Sequence, residues 1–408
     1  MNDQIKKRMV NAEFNLLDKN RQLLRNQQVS VTQTRHEFLF GTANFDLVPL
    51  ANSEHTGSQL ELSQTIADKT LAICNAITLP FYWGLFEPVQ GQTNTARIRK
   101  TAQWCVERGI KLKGHPLCWH TMCADWLLPM SNEDIFKTQM ARIHRDVSEF
   151  RGLIDMWDVI NEAVIMPIFD KYDNGITRIC KELGRINLIR KVFEAARSEN
   201  PSATLLINDF ETSPAYDILI EGCLAAGIKF DVIGIQSHMH QGWWGLEKTL
   251  EILERFGRFN IPLHFTETTL ISGELMPPEI VDLNDYQVTD WPTRPDLEER
   301  QAREVVQHYE TLFANPLVQS ITWWDIYDGC WLNAPSGLLR KDGSSKPAYD
   351  ELLKRVKGEW WLPATQFSTD DQGKLRFSGF PGTYEVTFNG QKTTVTLSAG
   401  QEKADLQL

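Results

Sequence analysis

The sequence predicts a (β/α)8 TIM barrel of the α/β class with a small C-terminal all-β module, and three observations point that way. Eight short apolar runs of strand type recur between residues 37 and 327. Segments whose apolar residues recur at three and four separate them, as in TARIRKTAQWCVERG and LIRKVFEAARSEN. Near residue 359 the pattern changes to period-two alternation around Gly and Asn turns. Eight strand-helix units over about 320 residues are what such a barrel requires. A doubly wound open sheet is the rival, but the Gly-x-Gly-x-x-Gly turn it uses for phosphates is absent after the first strand.

Taken in order, residues 2 to 15 read as a helix and 16 to 36 as short strands, QVSVTQT being the clearest. This segment, 1–36, is expected to pack on the barrel or the β module. The barrel, 37–358, begins with EFLFGTANF (37 to 45), NAITLPFYW (75 to 83), KLKGHPLCWH (111 to 120) and DMWDVINEA (155 to 163). TLLINDF (204 to 210), DVIGIQSHM (231 to 239), PLHFTETT (262 to 269) and SITWWDIY (320 to 327) complete it. Residues 270 to 294 form the longest stretch without periodicity; following the seventh strand, they belong on the catalytic face of a barrel. A helix over 296–313 leads to the eighth strand. KLRFSGF, TYEVTFNG and KTTVTLSA make 359–408 the β module. A module of about fifty residues rarely holds a core alone, so it is expected to pack on the barrel and share a sheet with 16–36.

Composition excludes several function classes. The 408 residues, 42% hydrophobic and 23% charged, suffice for one large core and a small extra module. A formal charge of -11 argues against nucleic acid as a partner, which would call for a basic face. No run of about 18 apolar residues marks a membrane span, and the amino end has no apolar leader core, so a cytoplasmic location is expected unless a signal has been removed. Seven cysteines, odd in number and set in apolar surroundings, fit reduced core thiols.

Polar residues at the carboxyl ends of barrel strands converge on one pocket. They are His115, Trp119 and His120 after the third strand, Asn161 and Glu162 after the fourth, and Asn208 and Asp209 after the fifth. Gln236, His238 and His240 follow the sixth, Glu267 the seventh, and Trp323 with Trp331 the eighth. Two glutamates with amides, imidazoles and aromatic plates suit a saccharide. Hydrolysis of a glycosidic bond needs a proton donor and a second carboxylate, and Glu162 and Glu267, three units apart, face each other across the mouth. His238 and His240 share a strand face as a metal pair would, but no third ligand has suitable spacing, so they read as hydrogen-bonding groups and no metal or cofactor is expected. Asn208 and Asp209 read as supporting residues.

WDVINEA, GHPLCWH, IQSH, the Thr266-Glu267 strand end and ITWWDIYDGCW resemble the signature strands of glycoside hydrolase family 10, the endo-β-1,4-xylanases, over about residues 37 to 357. The resemblance implies retaining hydrolysis of β-1,4-xylosidic bonds in an oligo- or polysaccharide, with Glu162 as acid/base and Glu267 as nucleophile. It further implies that Asn161 binds the sugar 2-hydroxyl and that His115 and Trp119 line the same subsite. Gln236 and His238 would contact or orient Glu267, and Trp323 and Trp331 would form the stacking platform. The alternatives are another or decorated β-linked glycan, or a non-catalytic carbohydrate-binding barrel.

Three departures from the family pattern stand out. Pro-Glu-Asn-Glu-Met-Lys between the second strand's Thr and Trp is here Leu79-Pro80-Phe81-Tyr82, with Tyr82 where the lysine would be. The acid two residues after the nucleophile is Thr269, which removes the expected carboxylate partner of His238. Trp324 and Asp325 replace the small and apolar residues after the first tryptophan of the last strand. The missing charged cluster points to short or decorated oligosaccharides.

Overall fold

Alternation of apolar and polar residues decides the two strands that precede the barrel. In the computed structural model, which describes residues 3–398 and 403–408, Ala12, Phe14 and Leu16 of Val10–Leu17 (β1) are buried with polar residues between them. Val29, Val31 and Gln33 of Gln28–His36 (β2) repeat the pattern. Side chains two apart share a face in a strand and not in a helix. The helix expected over 2–15 is therefore corrected: only Asp3–Lys6 is helical and strand follows it, residue 2 lying outside the described residues.

The eight expected runs overlap Leu39–Thr42 (β3), Ala76–Pro80 (β4), Lys111–His115 (β5), Met156–Asn161 (β6), Thr204–Asp209 (β7), Val232–Met239 (β8), Leu263–Leu270 (β9) and Val318–Trp323 (β10), with β9 ending one residue later and β10 beginning two residues earlier than expected. They close in the order β10-β3-β4-β5-β6-β7-β8-β9, each pair parallel, which is the (β/α)8 barrel expected. The helices between them carry their own start signals. Ser131, Asn174 and Ser213 cap helices by accepting backbone N–H groups, and Pro295 and Pro347 open two more where no N–H is needed.

After the barrel come Thr365–Ser368 (β11), Lys374–Gly379 (β12), Gly382–Phe388 (β13), Gln391–Leu397 (β14) and Lys403–Gln407 (β15), residues 399–402 of the C-terminal module lying outside the described residues. β1 lies between β12 and β15, and β2 between β11 and β13, so two sheets are each completed by an N-terminal strand. Phe14, Leu16, Val29, Val31, Leu375, Tyr384 and Val386 share one core between them. The N-terminal strands supply the apolar surface that the last fifty or so residues lack on their own. This sandwich is fastened to the barrel by aromatic contacts: Trp360 is fully buried and stacks on Phe313 at 4.4 Å, and the Arg8 guanidinium lies over Phe313 at 4.9 Å.

Candidate active site

The two glutamates stand at the same end of the barrel, Glu162 one residue past β6 and Glu267 within β9. β9 loses step with both neighbours there. Against β8, Ile235 pairs with Phe265 and Gln236 with Glu267; against β10, Ile321 pairs with Phe265 and Trp323 with Thr268. An extra residue thus sits at Thr266–Glu267, and irregularities of this kind re-aim side chains near functional sites. Consecutive residues then meet the same partner: the Thr266 hydroxyl donates to Asn208 Oδ1 at 2.6 Å, and Asn208 Nδ2 donates to Glu267 Oε1 at 2.9 Å.

Asn208 Nδ2 uses its second hydrogen on Asn161 Oδ1 at 2.8 Å, and Asn161 Nδ2 donates to Glu162 Oε1 at 3.2 Å. The two carboxylates are therefore joined through two amides. Gln236 Nε2 adds bonds to Asn161 Oδ1 at 3.1 Å and Glu162 Oε1 at 3.4 Å. The side chain of Gln236 thus bonds on the Glu162 side, while its backbone is the partner of Glu267 across β8 and β9.

Glu162 has φ +56°, a left-handed conformation that costs a side-chain-bearing residue of order 1–3 kcal/mol. Its N–H donates to the Asn208 carbonyl at 2.8 Å, holding the turn that lifts the side chain over the mouth. The buried Asp209 carboxylate accepts the N–H groups of Val164 at 2.9 Å and Glu211 at 3.0 Å and so braces the next stretch.

Glu267, 4% exposed, is surrounded by positive and polar partners. His238 Nε2 lies 3.1 Å from its Oε2, and His115 Nε2 lies 3.9 Å from its Oε1. Behind His115, Asp158 Oδ2 meets His115 Nδ1 at 2.7 Å and the buried Lys113 ammonium at 2.6 Å. Thr269, in place of the acid, meets His238 Nδ1 at 3.4 Å. Burial raises the proton affinity of Glu267, but attraction to His115 and the hydrogen bond and charge of His238 outweigh it, holding the carboxyl below its ordinary value. Glu162 goes the other way. Burial pushes it up to about 8, with the negative charges of Asp209 and Glu267 adding and the polar hydrogens of Trp119 and Gln236 partly offsetting.

Among the aromatic candidates, Tyr82 packs 5.6 Å from His115 and 5.7 Å from Trp119. Trp331 packs on His238 at 4.6 Å and His240 at 5.0 Å, and its Nε1 donates to Asn284 of the 270–294 loop at 3.2 Å. Trp323 is not a platform, contrary to the expectation. It is 1% exposed, its Nε1 donates to the Ser336 carbonyl, and its ring packs toward Tyr309 of the outer helix Pro295–Ala314. Ser320 and Thr322 line the barrel interior, so strand alternation turns Trp323 outward. Trp324 reaches the mouth instead, 5.3 Å from His115 and 6.1 Å from His238. Among the described residues no group of three or more His, Cys, Asp or Glu side chains is arranged to hold a metal ion.

Residues 48–355 match the model of Glycosyl hydrolase family 10. The chain belongs to that family. It is 27% identical over 223 residues to an endo-1,4-beta-xylanase/feruloyl esterase of Xylanibacter ruminicola, covering 48% of this chain and 30% of that protein. To endo-1,4-beta-xylanase 3 of Hypocrea jecorina it is 30% identical over 282 residues, covering 66% of this chain and 72% of that protein. The chain thus spans less than a third of the length of the first relative. Its fold is like that of native xylanase 10B from Thermotoga maritima, with a TM-score of 0.63 and 19% identity over 79% of this chain and 96% of that one.

Within this family 10 barrel, three contributions were not singled out as site residues. Asn208 is the bridge between the carboxylate systems and not merely a support. Lys113 and Asp158 set the charge behind His115; Lys113 and His115 share a strand face, a two-residue spacing visible in the sequence. Trp324 follows from the same alternation, two residues beyond Thr322.

Proposed function

We propose that this family 10 chain is a retaining glycoside hydrolase that cleaves β-1,4-xylosidic bonds in xylan or xylo-oligosaccharides. One observation carries the proposal: two carboxylates at one barrel mouth, joined through Asn161 and Asn208, have opposite proton affinities. At neutral pH Glu162 keeps a proton to give, and Glu267 keeps a lone pair to attack with. Glu267 adds to the anomeric carbon as the bond from that carbon to the glycosidic oxygen breaks, and Glu162 passes its proton to the departing oxygen. In the second step the Glu162 anion takes a proton from water, the water oxygen bonds to the anomeric carbon, and Glu267 leaves as carboxylate. Asn161, His115, Trp119, Tyr82 and Trp331 surround the sugar in this reading. The oligosaccharide partner and the xylanase names of the relatives support the same choice of substrate.

The test is hydrolysis of an aryl β-xyloside and of xylotetraose followed by NMR of the anomeric protons. The β anomer should appear first and the α anomer only by mutarotation. First appearance of the α anomer would make the enzyme inverting, and absence of hydrolysis of any xyloside would leave only the binding-protein alternative.

A further inference from the structure

The arc of the mouth that runs from β10 through β3 and β4 to β5 is closed by four rings. Phe45 follows β3, Tyr82 follows β4, His115 ends β5 and Trp324 follows β10, four strands that are neighbours around the barrel. Their centroids form a circuit: Phe45 to Tyr82 5.9 Å, Tyr82 to His115 5.6 Å, His115 to Trp324 5.3 Å and Trp324 back to Phe45 6.0 Å. Interplanar angles of 84°, 88°, 75° and 84° make each an edge contact. Rings at such separations touch directly, so no pyranose passes between them. Behind the circuit the Tyr327 hydroxyl donates to the Asp46 carboxylate, tying the chain beyond Trp324 to the residue after Phe45. Trp324 itself is only 7% exposed.

The direction of the substrate follows from the roles proposed for the acids, on which this inference rests. Glu162 gives its proton to the departing oxygen, so the leaving portion lies toward β6. In the order β10-β3-β4-β5-β6, that strand is four places from β10, directly across the eight-stranded ring. The sugar under attack sits on Glu267 between His115 and His238, and whatever is attached to its far end is aimed at the ring circuit. On the β6 side there is room: a cavity of about 370 Å³ lies among the segments after β4, β5 and β6, lined by residues including Leu85, Met122 and Tyr172.

We propose that Phe45, Tyr82 and Trp324 limit the non-leaving side to one sugar unit, so that the enzyme removes single units from the non-reducing end of short xylo-oligosaccharides. Wild-type enzyme, Trp324→Ala and Phe45→Ala are each given xylotetraose, 4-nitrophenyl β-xyloside and 4-nitrophenyl β-xylobioside. Phe45 is less buried than Trp324, which keeps the test open should loss of the tryptophan prevent folding. From xylotetraose the wild type should first yield xylose with xylotriose, and nitrophenol should appear at once from the xyloside but after a lag from the xylobioside. Each variant should raise direct release from the xylobioside, relative to the xyloside, by about tenfold or more. Initial release of xylobiose by the wild type, or a ratio unchanged in both variants, overturns the inference while leaving the glycosidase reading in place. No cleavage of any of the three substrates removes that reading and the inference together.

Discussion

Glu162 and Glu267 are the same residue in the same mouth, yet their surroundings treat the proton in opposite ways. Around Glu267 three groups face the carboxylate from different strands: Asn208 from β7, His238 from β8 and His115 from β5. Glu162 is met by neutral groups, the amides of Asn161 and Gln236 and the polar hydrogen of Trp119, and no ion pair to it occurs among the described residues. Burial raises both proton affinities, so the sign of the outcome is set by whether positive charge accompanies it. The difference comes from His238 on β8, the strand next to Glu267, and from His115 on β5, four strands from it, and the amide bridge lets one constellation position both.

The comparison is tested most severely by removing each acid. Glu267→Ala should lower turnover by on the order of 10⁶-fold, the scale of losing a covalent nucleophile, and should abolish labelling by a 2-fluoro-xyloside; labelling of another residue would sink its assignment. Glu162→Ala should act selectively. Unactivated xylo-oligosaccharides should slow by about 10²–10⁴-fold, whereas an aryl xyloside with an acidic phenol should lose far less and azide should restore its turnover. An equal loss on both substrate classes, unrelieved by azide, would show that Glu162 is not the proton donor.

Asn208→Ala removes the bridge and one charge-directed hydrogen bond on Glu267. Bonds to charged groups contribute roughly 1.5–3 kcal/mol, so kcat/KM should fall by about 10–100-fold. Glu267 should also hold its proton more tightly, moving the acidic limb of the pH profile upward. Loss of activity with an unmoved acidic limb would mean that Asn208 only supports the fold.

How far the sequence could be read follows the range of the interactions. The eight strands and both glutamates were legible because strand period and strand-end polarity are local, and the family resemblance rested on contiguous motifs. The N-terminal strand β1 was misread because its pairing with β12 and β15, about 360 residues or more away, is what settles its conformation. The extra residue at Thr266–Glu267 leaves no local mark, so Asn208 could not be recognised as their shared partner. Trp323 was misassigned for a different reason: two adjacent tryptophans satisfy the same motif, and only alternation from Ser320 and Thr322 says which one faces the mouth.

The finest contrast concerns Asp209, whose own carboxyl is pushed by burial up to about 7 and whose negative charge adds to the proton affinity of Glu162. A general acid must be protonated, so activity on unactivated substrates should fade as pH rises through about 8, where Asp209 is ionised. Asp209→Asn deletes that charge and keeps a carbonyl oxygen for one of its two N–H partners, Val164 on Oδ2 or Glu211 on Oδ1, while the other loses its acceptor. The alkaline limb of kcat/KM should therefore move to lower pH, by less than about one unit, because burial, the larger cause, is unchanged. An aryl xyloside whose phenol leaves unaided should show no such movement, since its first step does not draw on the acid. If the limb stayed in place or moved upward for the oligosaccharide, Asp209 would be a brace for the loop after β6 and nothing more, and the high proton affinity of Glu162 would rest on burial and on Glu267.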